Sequence, residues 1–386
     1  MQKLMSIIIS IIMFVAPSAN YPKAEIDFSE HKTNYTYVFV HGLGGWGEYD
    51  PQYDLFPYWG VLGGDLMKYL NARGFNCAAA SVAQNGSAWD RCCELYAQLT
   101  GTVTDYGAEH SKTHHHPRFG KSFRGRAIID KWDSVNKINL MGHSFGGATC
   151  MMLSELMAYG SEKEMKATEK DDISPLFTGG KADWIYSVTA LSAPLNGTTA
   201  VYCKDVINAR KHKTFRQFLV VTSIGNLAGP IYDGRTEDDC AAFDMEIDNA
   251  MDMCRGWKYC SEQYYFSLPT CMTQTDENGV TTANLNDFEY IYSAAAQEMA
   301  AYKGVTPKGT VIDEQWQPND GLVNTISARA PFNASTTEYN GGRAAKGIWN
   351  VYPVYRGDHM ALMGGLLHNN PIRETYIEMM CNINKQ

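Results

Sequence analysis

Gly142-His143-Ser144-Phe145-Gly146 has the G-x-S-x-G spacing that lifts a serine onto a sharp turn between a strand and a helix. That spacing serves nucleophilic chemistry: the Ser144 hydroxyl must stand clear of the sheet edge, and small flanking residues let strand and helix approach without Cβ clashes. The N–H of Phe145, at the start of the helix, then faces a developing oxyanion, helped by the helix dipole. A second donor is expected from the loop after an early strand. His41-Gly42-Leu43-Gly44-Gly45-Trp46-Gly47 occupies that place, and the Leu43 N–H is assigned to the role.

Such a serine needs a base and an acid to orient it, in the chain order Ser, Asp or Glu, His. His212, His359 and His368 follow Ser144. His212 lies in the charged run Arg210-Lys211-His212-Lys213, which reads as a solvated face. His359 follows the strand-like Gly347–Val354 in a Gly357-Asp358-His359 turn and is preferred as the base, with His368 as the alternative. Asp320, in the turn-forming Asn319-Asp320-Gly321, is preferred as the orienting acid. Asp313 and Asp358 stay open, because an Asp beside Gly also serves as an Asx-turn residue.

A second concentration of chemistry spans Trp89-Asp90-Arg91, Asp105 to His110 and His114-His115-His116. Imidazole and carboxylate at that density suit a zinc site with nitrogen and oxygen ligands. The spacing is not that of a zinc finger, and a His-rich surface loop is an equal reading.

These residues need a scaffold. Tyr35–Val40 is β-branched and aromatic, stops at a Gly-rich turn and is followed by a helical apolar segment around Val61–Leu70. Cys77–Val82 opens a second unit, Lys137–Met141 with Ala148–Tyr159 forms a third, and Trp184–Leu191 is a further strand. Strands alternating with helices predict an α/β fold, a mainly parallel sheet covered by helices on both faces. Two stretches lack the alternation, about 84–125 and about 200–271, and are expected to be insertions. No repeat or Pro-rich linker divides the chain, so one domain is expected.

At 386 residues with 45% hydrophobic and 19% charged residues, the chain has a globular balance, and its net charge of −9 gives it no electrostatic reason to seek nucleic acid. Lys3 followed by the apolar Met5–Ala16 and the small Ser18 and Ala19 predicts a secretory signal peptide over residues 1–19, not an integral membrane anchor, with residues 20–386 exported. Export makes the ten cysteines interpretable. Four crowd Cys240–Cys271, where disulfide bonds are expected, with buried thiols elsewhere. Asn34, Asn85, Asn196 and Asn333 head glycosylation sequons.

The chain resembles the large secreted true lipases of the thermophilic Bacillus-type and staphylococcal family, which are α/β-hydrolases. The similarity runs from about Tyr37 to Gly364. It is carried by His41-Gly42-Leu43 with Gly45-Trp46-Gly47, Tyr58-Trp59-Gly60, Trp89-Asp90-Arg91, Asp105-Tyr106-Gly107-Ala108, Ser174-Pro175-Leu176-Phe177, Asn196-Gly197-Thr198-Thr199 and Asn319-Asp320-Gly321.

The resemblance implies a triad of Ser144, Asp320 and His359, with Leu43 and Phe145 donating to the oxyanion. It also implies a structural zinc held by Asp90, His110, His116 and, within Phe243-Asp244-Met245-Glu246-Ile247-Asp248, by Asp248. A helical lid is implied over Phe215, Phe218, Leu219, Val220, Ile224 and Leu227, meeting a lipid–water interface. Related lipases bind calcium through a glutamate two positions after the catalytic histidine and an Asp-Pro beyond it. Ala361 and the apolar Leu362 to Leu366 stand there in this chain, so the resemblance supplies no calcium ligands at that place. The implied activity is hydrolysis of triacylglycerol esters. A carboxylesterase or phospholipase uses the same triad, and a secreted lipid-binding protein without catalysis is the alternative of another class.

Overall fold

The first strand sets up a core on two sides. In β1 (Thr36–Val40), Tyr37 and Phe39 point to one face and Val38 and Val40 to the other, and all four are fully buried. A strand that is apolar on both faces belongs inside a parallel sheet covered on both sides. The computed structural model, which describes residues 26, 28–61, 63–203, 238–283, 290–365 and 371–386, has that sheet.

Six strands join β1: β2 (Cys77–Ala80), β3 (Ile138–His143), β4 (Ile185–Leu191), β5 (Tyr264–Leu268), β6 (Thr336–Glu338) and β7 (Trp349–Val351). Their order is β6-β7-β5-β4-β3-β1-β2, and every neighbouring pair is parallel. Parallel neighbours need crossovers, which the helices supply. Helices α1 (Leu66–Asn71) and α5 (Arg373–Asn384) cover the face bearing Tyr37, Phe39, Met141 and Phe266. Helices α2 (Ala88–Thr100) and α3 (Phe145–Tyr159) cover the opposite face, with Val38, Leu140 and Val188. This is the α/β-hydrolase architecture.

Two features depart from the sequence expectations. The stretch 84–125 contains α2, whose Cys92, Leu95 and Leu99 pack into the main core, so this part is a flanking helix of the sheet. The stretch 200–271 contains β5, a central strand, as well as α4 (Ile247–Gly256). Tyr264-Tyr265-Phe266-Ser267-Leu268 is a five-residue run beside a Cys-rich segment, and its aromatic character alone does not separate a strand from a loop.

The expected disulfide bonds are also absent: none joins any of the ten cysteines. Cys92 and Cys93 are consecutive on α2, and Cys254 is spent on a hydrogen bond to the Leu195 carbonyl. Of the sequons, Asn196 is unsuited to a glycan. Its side chain is buried, donating to the Ala330 carbonyl at 2.8 Å and accepting from the Phe332 N–H at 2.9 Å.

The signal peptide, His212, the lid segment and His368 lie outside the described residues. Among the described residues no helix is long and apolar enough to cross a membrane.

Candidate active site and metal centre

Ser144 joins the end of β3 to the start of α3 with φ 55° and ψ −132°, a backbone conformation strained for a residue with a side chain. The elbow is tight enough to require its glycines. A Cβ on Gly142 would lie 2.3 Å from the Gly146 carbonyl oxygen, and one on Gly146 would lie 2.2 Å from that of Val40. Phe145 is the first residue of α3, so its N–H has no acceptor within the helix.

The loop after β1 crosses directly over this turn. A Cβ on Gly42 would meet the Ser144 Cβ at 2.6 Å. The Gly44 N–H is taken by the Gln84 carbonyl, while the Leu43 N–H bonds to none of the described residues.

Arg91 holds the loop from behind. Fully buried on α2, it donates to the carbonyls of His41 and Ala83 and to Thr149 Oγ1 on α3, and its guanidinium lies 5.3 Å from the Phe145 ring centre. Burial lowers its pKa to about 10, which leaves it charged at neutral pH.

Asp320 and His359 meet on the same side. His359 Nδ1 lies 2.9 Å from Asp320 Oδ2, and the His359 N–H donates to the Asp320 carbonyl at 2.8 Å. The carboxylate is fully buried and saturated. Oδ1 accepts from the N–H groups of Leu322 and Val323, and Oδ2 also accepts from Thr270 Oγ1 at 2.5 Å. Burial pushes the Asp320 pKa up, but the nearby His359 and these donors outweigh it and hold the group below the usual carboxylate range.

The chain of donors extends one residue further, because Ser192 Oγ lies 2.5 Å from Thr270 Oγ1. Thr270 gives its proton to a carboxylate that only accepts, so Ser192 donates to Thr270. Ser192 sits at the end of β4 with φ 49°. The alternatives to Asp320 have turn roles: Asp313 accepts from the Gln315 N–H and Asp358 from the Met360 N–H.

His359 also lies beside the elbow. Its carbonyl accepts from His143 Nε2 at 2.9 Å, and the two rings are centred 4.9 Å apart. Sequence reasoning missed Thr270 and Ser192 and the hydrogen bonds made by His143 and Tyr58. Thr270 and Ser192 belong to no motif, and His143 stands at an unspecified position of the G-x-S-x-G turn.

The histidine-rich stretch forms a cluster with a different membership. Asp90, His110, His116 and Asp239 place one ligand atom each within 4.8 Å of one another. His110 Nε2 lies 3.1 Å from Asp90 Oδ1 and 3.5 Å from Asp239 Oδ1. His116 Nε2 lies 3.9 Å from Asp90 Oδ1 and 3.4 Å from Asp239 Oδ2. Bonds of ~2.0–2.1 Å to a tetrahedral cation put ligand atoms roughly 3.3 Å apart, which these separations bracket.

The donor set fits as well. His116 Nδ1 lies 2.9 Å from the Pro117 carbonyl, so it carries the hydrogen and leaves Nε2 as a lone pair facing the cluster. Both Asp239 oxygens and His116 Nε2 are buried without a well-formed hydrogen bond. Trp89 stacks on His110 with ring centres 5.1 Å apart.

Asp248 is not in this cluster. On α4 it accepts from Thr306 Oγ1 at 2.5 Å and from the Lys308 N–H at 2.8 Å, closing the Thr306–Thr310 turn. Asp239 takes the place expected for it. The acidic run Glu237-Asp238-Asp239 was the available signal, and placing the ligand beyond Phe243 bypassed it.

The chain matches the family described as "Lipase-like, C-terminal domain" over residues 33–230 and 232–376. It is 31% identical over 360 residues to Lipase 1 of Staphylococcus aureus strain MRSA252, covering 87% of this chain and 51% of that protein. It is 29% identical over 360 residues to Staphylococcus aureus Lipase 2, covering 86% of this chain and 50% of that protein. The chain thus spans about half the length of the curated relatives it matches. Among solved structures it is similar to EstA from Clostridium botulinum, with 29% identity, a TM-score of 0.81 and coverage of 98% of this chain and 97% of that one. It is also similar to lipase 1 from Pelosinus fermentans, with 28% identity, a TM-score of 0.75 and coverage of 90% and 97%.

Proposed function

The chain belongs to the lipase-like C-terminal domain family of bacterial α/β-hydrolases, related to staphylococcal Lipase 1 and Lipase 2, and from that membership we propose that it is a secreted serine ester hydrolase acting on acylglycerols. The observation that carries the reading is the Asp320–His359 hydrogen bond at 2.9 Å, set beside a serine held at positive φ.

In this mechanism Ser144 Oγ attacks the ester carbonyl while His359 takes its proton. A tetrahedral intermediate forms, and its oxyanion is met by the N–H groups of Leu43 and Phe145. His359 returns the proton to the departing alcohol oxygen as the C–O bond breaks, leaving an acyl-enzyme. Water, deprotonated by the same imidazole, then releases the fatty acid. Asp320 fixes the tautomer with Nδ1–H toward itself and stabilises the imidazolium, and its four donors keep it ionised.

Asp90, His110, His116 and Asp239 would hold zinc. With four protein ligands the site is closed, so zinc there supplies cross-linking of the fold and not activation of water.

Ser144→Ala is expected to lose ester hydrolysis by ~10⁶ with its fold intact, and unchanged turnover would sink the assignment. Comparing dissolved short-chain esters with emulsified long-chain triacylglycerols separates an esterase from a lipase. Preference for the dissolved ester would remove the acylglycerol assignment.

A further inference from the structure

The loop bearing Leu43 is joined to His359 by a series of hydrogen bonds in which no reacting atom takes part. The Gly42 N–H donates to the Tyr58 hydroxyl at 2.9 Å, that hydroxyl lies 2.7 Å from His143 Nδ1, and His143 Nε2 lies 2.9 Å from the His359 carbonyl. Tyr58 and His143 are both buried.

The direction of every bond follows from chemistry. A carbonyl only accepts, so His143 Nε2 carries a hydrogen. Burial, reinforced by the nearby His359, lowers the His143 pKa to about 3, so the ring has one hydrogen and Nδ1 is an acceptor. Tyr58 must then give its single proton to Nδ1, and its oxygen is left to receive the Gly42 N–H. All the donors and acceptors are matched.

We propose that Tyr58 and His143 are positioning residues, forming a strut that fixes the distance between the Leu43 amide and the His359 imidazole across Ser144. The proposal rests on the reading of Ser144 as the nucleophile. Gly42 is gripped from both sides, its N–H by Tyr58 and its carbonyl side by Arg91 at 3.4 Å. Without the strut the Gly42 N–H loses its partner, and of the bonds that hold Gly42 those of Arg91 and His41 to its carbonyl remain, so the neighbouring Leu43 N–H is less firmly aimed at the point where the oxyanion forms. His143 is thus more than the variable residue before the nucleophile: it is where the loop and the base are brought into register.

Tyr58→Phe tests this, since it keeps the ring against Trp46 and Trp59 and removes only the hydroxyl. On a soluble p-nitrophenyl ester, kcat is expected to fall ~10-fold to 100-fold with KM unchanged, the scale set by a misplacement of about 1 Å. Affinity for an alkyl boronate, which adds Ser144 Oγ to form a tetrahedral anion, should fall by the same factor as kcat/KM. Wild-type kcat, or a loss of kcat with boronate affinity retained, would overturn the strut.

A measurement on the unaltered protein guards against misfolding of the variant. Nitrogen NMR of the histidines should show His143 as the neutral Nε2–H tautomer throughout pH 5 to 9, and either the other tautomer or titration in that range would overturn the proposal. Activity surviving Ser144→Ala would instead remove the nucleophile reading, a result separable from any of these.

Discussion

Asp90 and Arg91 are consecutive residues of one helix, yet Asp90 faces the Asp/His cluster proposed to hold zinc while Arg91 reaches the His41 carbonyl behind the loop after β1. Adjacent helical positions point about 100° apart, so one helix serves both sites. This bears on metal binding first. Asp239→Ala is expected to lower zinc content from about one ion per chain toward zero and to depress the melting temperature. Asp248→Ala should leave zinc content unchanged and loosen only the Thr306–Thr310 turn. Atomic-emission analysis of the two purified variants decides between them.

The donor chain behind the proposed triad gives a second test. Thr270→Val removes the hydroxyl donor from a buried carboxylate. A hydrogen bond to a charged group is worth ~1.5–3 kcal/mol, so kcat should fall roughly tenfold or more with the fold kept. Ser192→Gly removes the last hydroxyl and suits the positive φ, so a smaller loss of kcat should come with equal or higher thermal stability. A Thr270→Val enzyme as fast as wild type would show that the chain is idle.

Two buried histidines should contribute to acid stability. Burial lowers His41 and His143 from 6.5 to about 3 each, with Arg91 adding to the effect on His41. Below pH 6.5 the unfolded chain binds protons that these folded rings refuse, so stability is fully present above pH 6.5 and drains as pH falls toward 3. Each ring contributes a slope of up to about 1.4 kcal/mol per pH unit. Asp244 and Glu155, pushed up to about 7 by burial, act with the opposite sign in the same window, so the histidine contribution is read by difference: the gap in urea midpoint between wild type and His143→Gln should change steadily from pH 6.5 to pH 4. A gap independent of pH over that interval would contradict the assignment.

Asn196 offers a fourth test. Asn196→Ala leaves the Ala330 carbonyl and the Phe332 N–H without partners inside the protein. The Ala330 carbonyl is buried and the Phe332 N–H partly so; an unpaired buried group costs ~1–3 kcal/mol, so a clear loss in denaturant midpoint is expected. Mass spectrometry of the purified protein should find Asn196 bare, whatever occurs at the exposed Asn34.

Much of this molecule was legible because its chemistry is local. Ser144 and its glycines occupy five consecutive residues, and the alternation of strands and helices declares a parallel sheet over short windows. That Asp320 and His359 meet was expected from chain order, turn context and the family resemblance together. What stayed hidden is held by contacts distant in sequence. Thr270 meets Asp320 across 50 residues and His143 meets His359 across 216. Asp239, the fourth member of the Asp/His cluster, was missed because the ligand was sought beyond Phe243 and the acidic run Glu237-Asp238-Asp239 was passed over. The strand Tyr264–Leu268 was missed because its partners are β4 and β7, which only the assembled sheet supplies. The cysteine spacing misled because crowding along the chain is not proximity of side chains.

The ten sulfhydryls leave the protein with a built-in record of its own breathing. Cys77, Cys92 and Cys93 lie fully buried, and burial pushes their pKa values well above that of an ordinary thiol, so almost none of the reactive thiolate exists while the sheet is closed. An alkylating reagent can reach them only when the layers part. The order in which they become labelled would therefore report which layer of the protein lets go first.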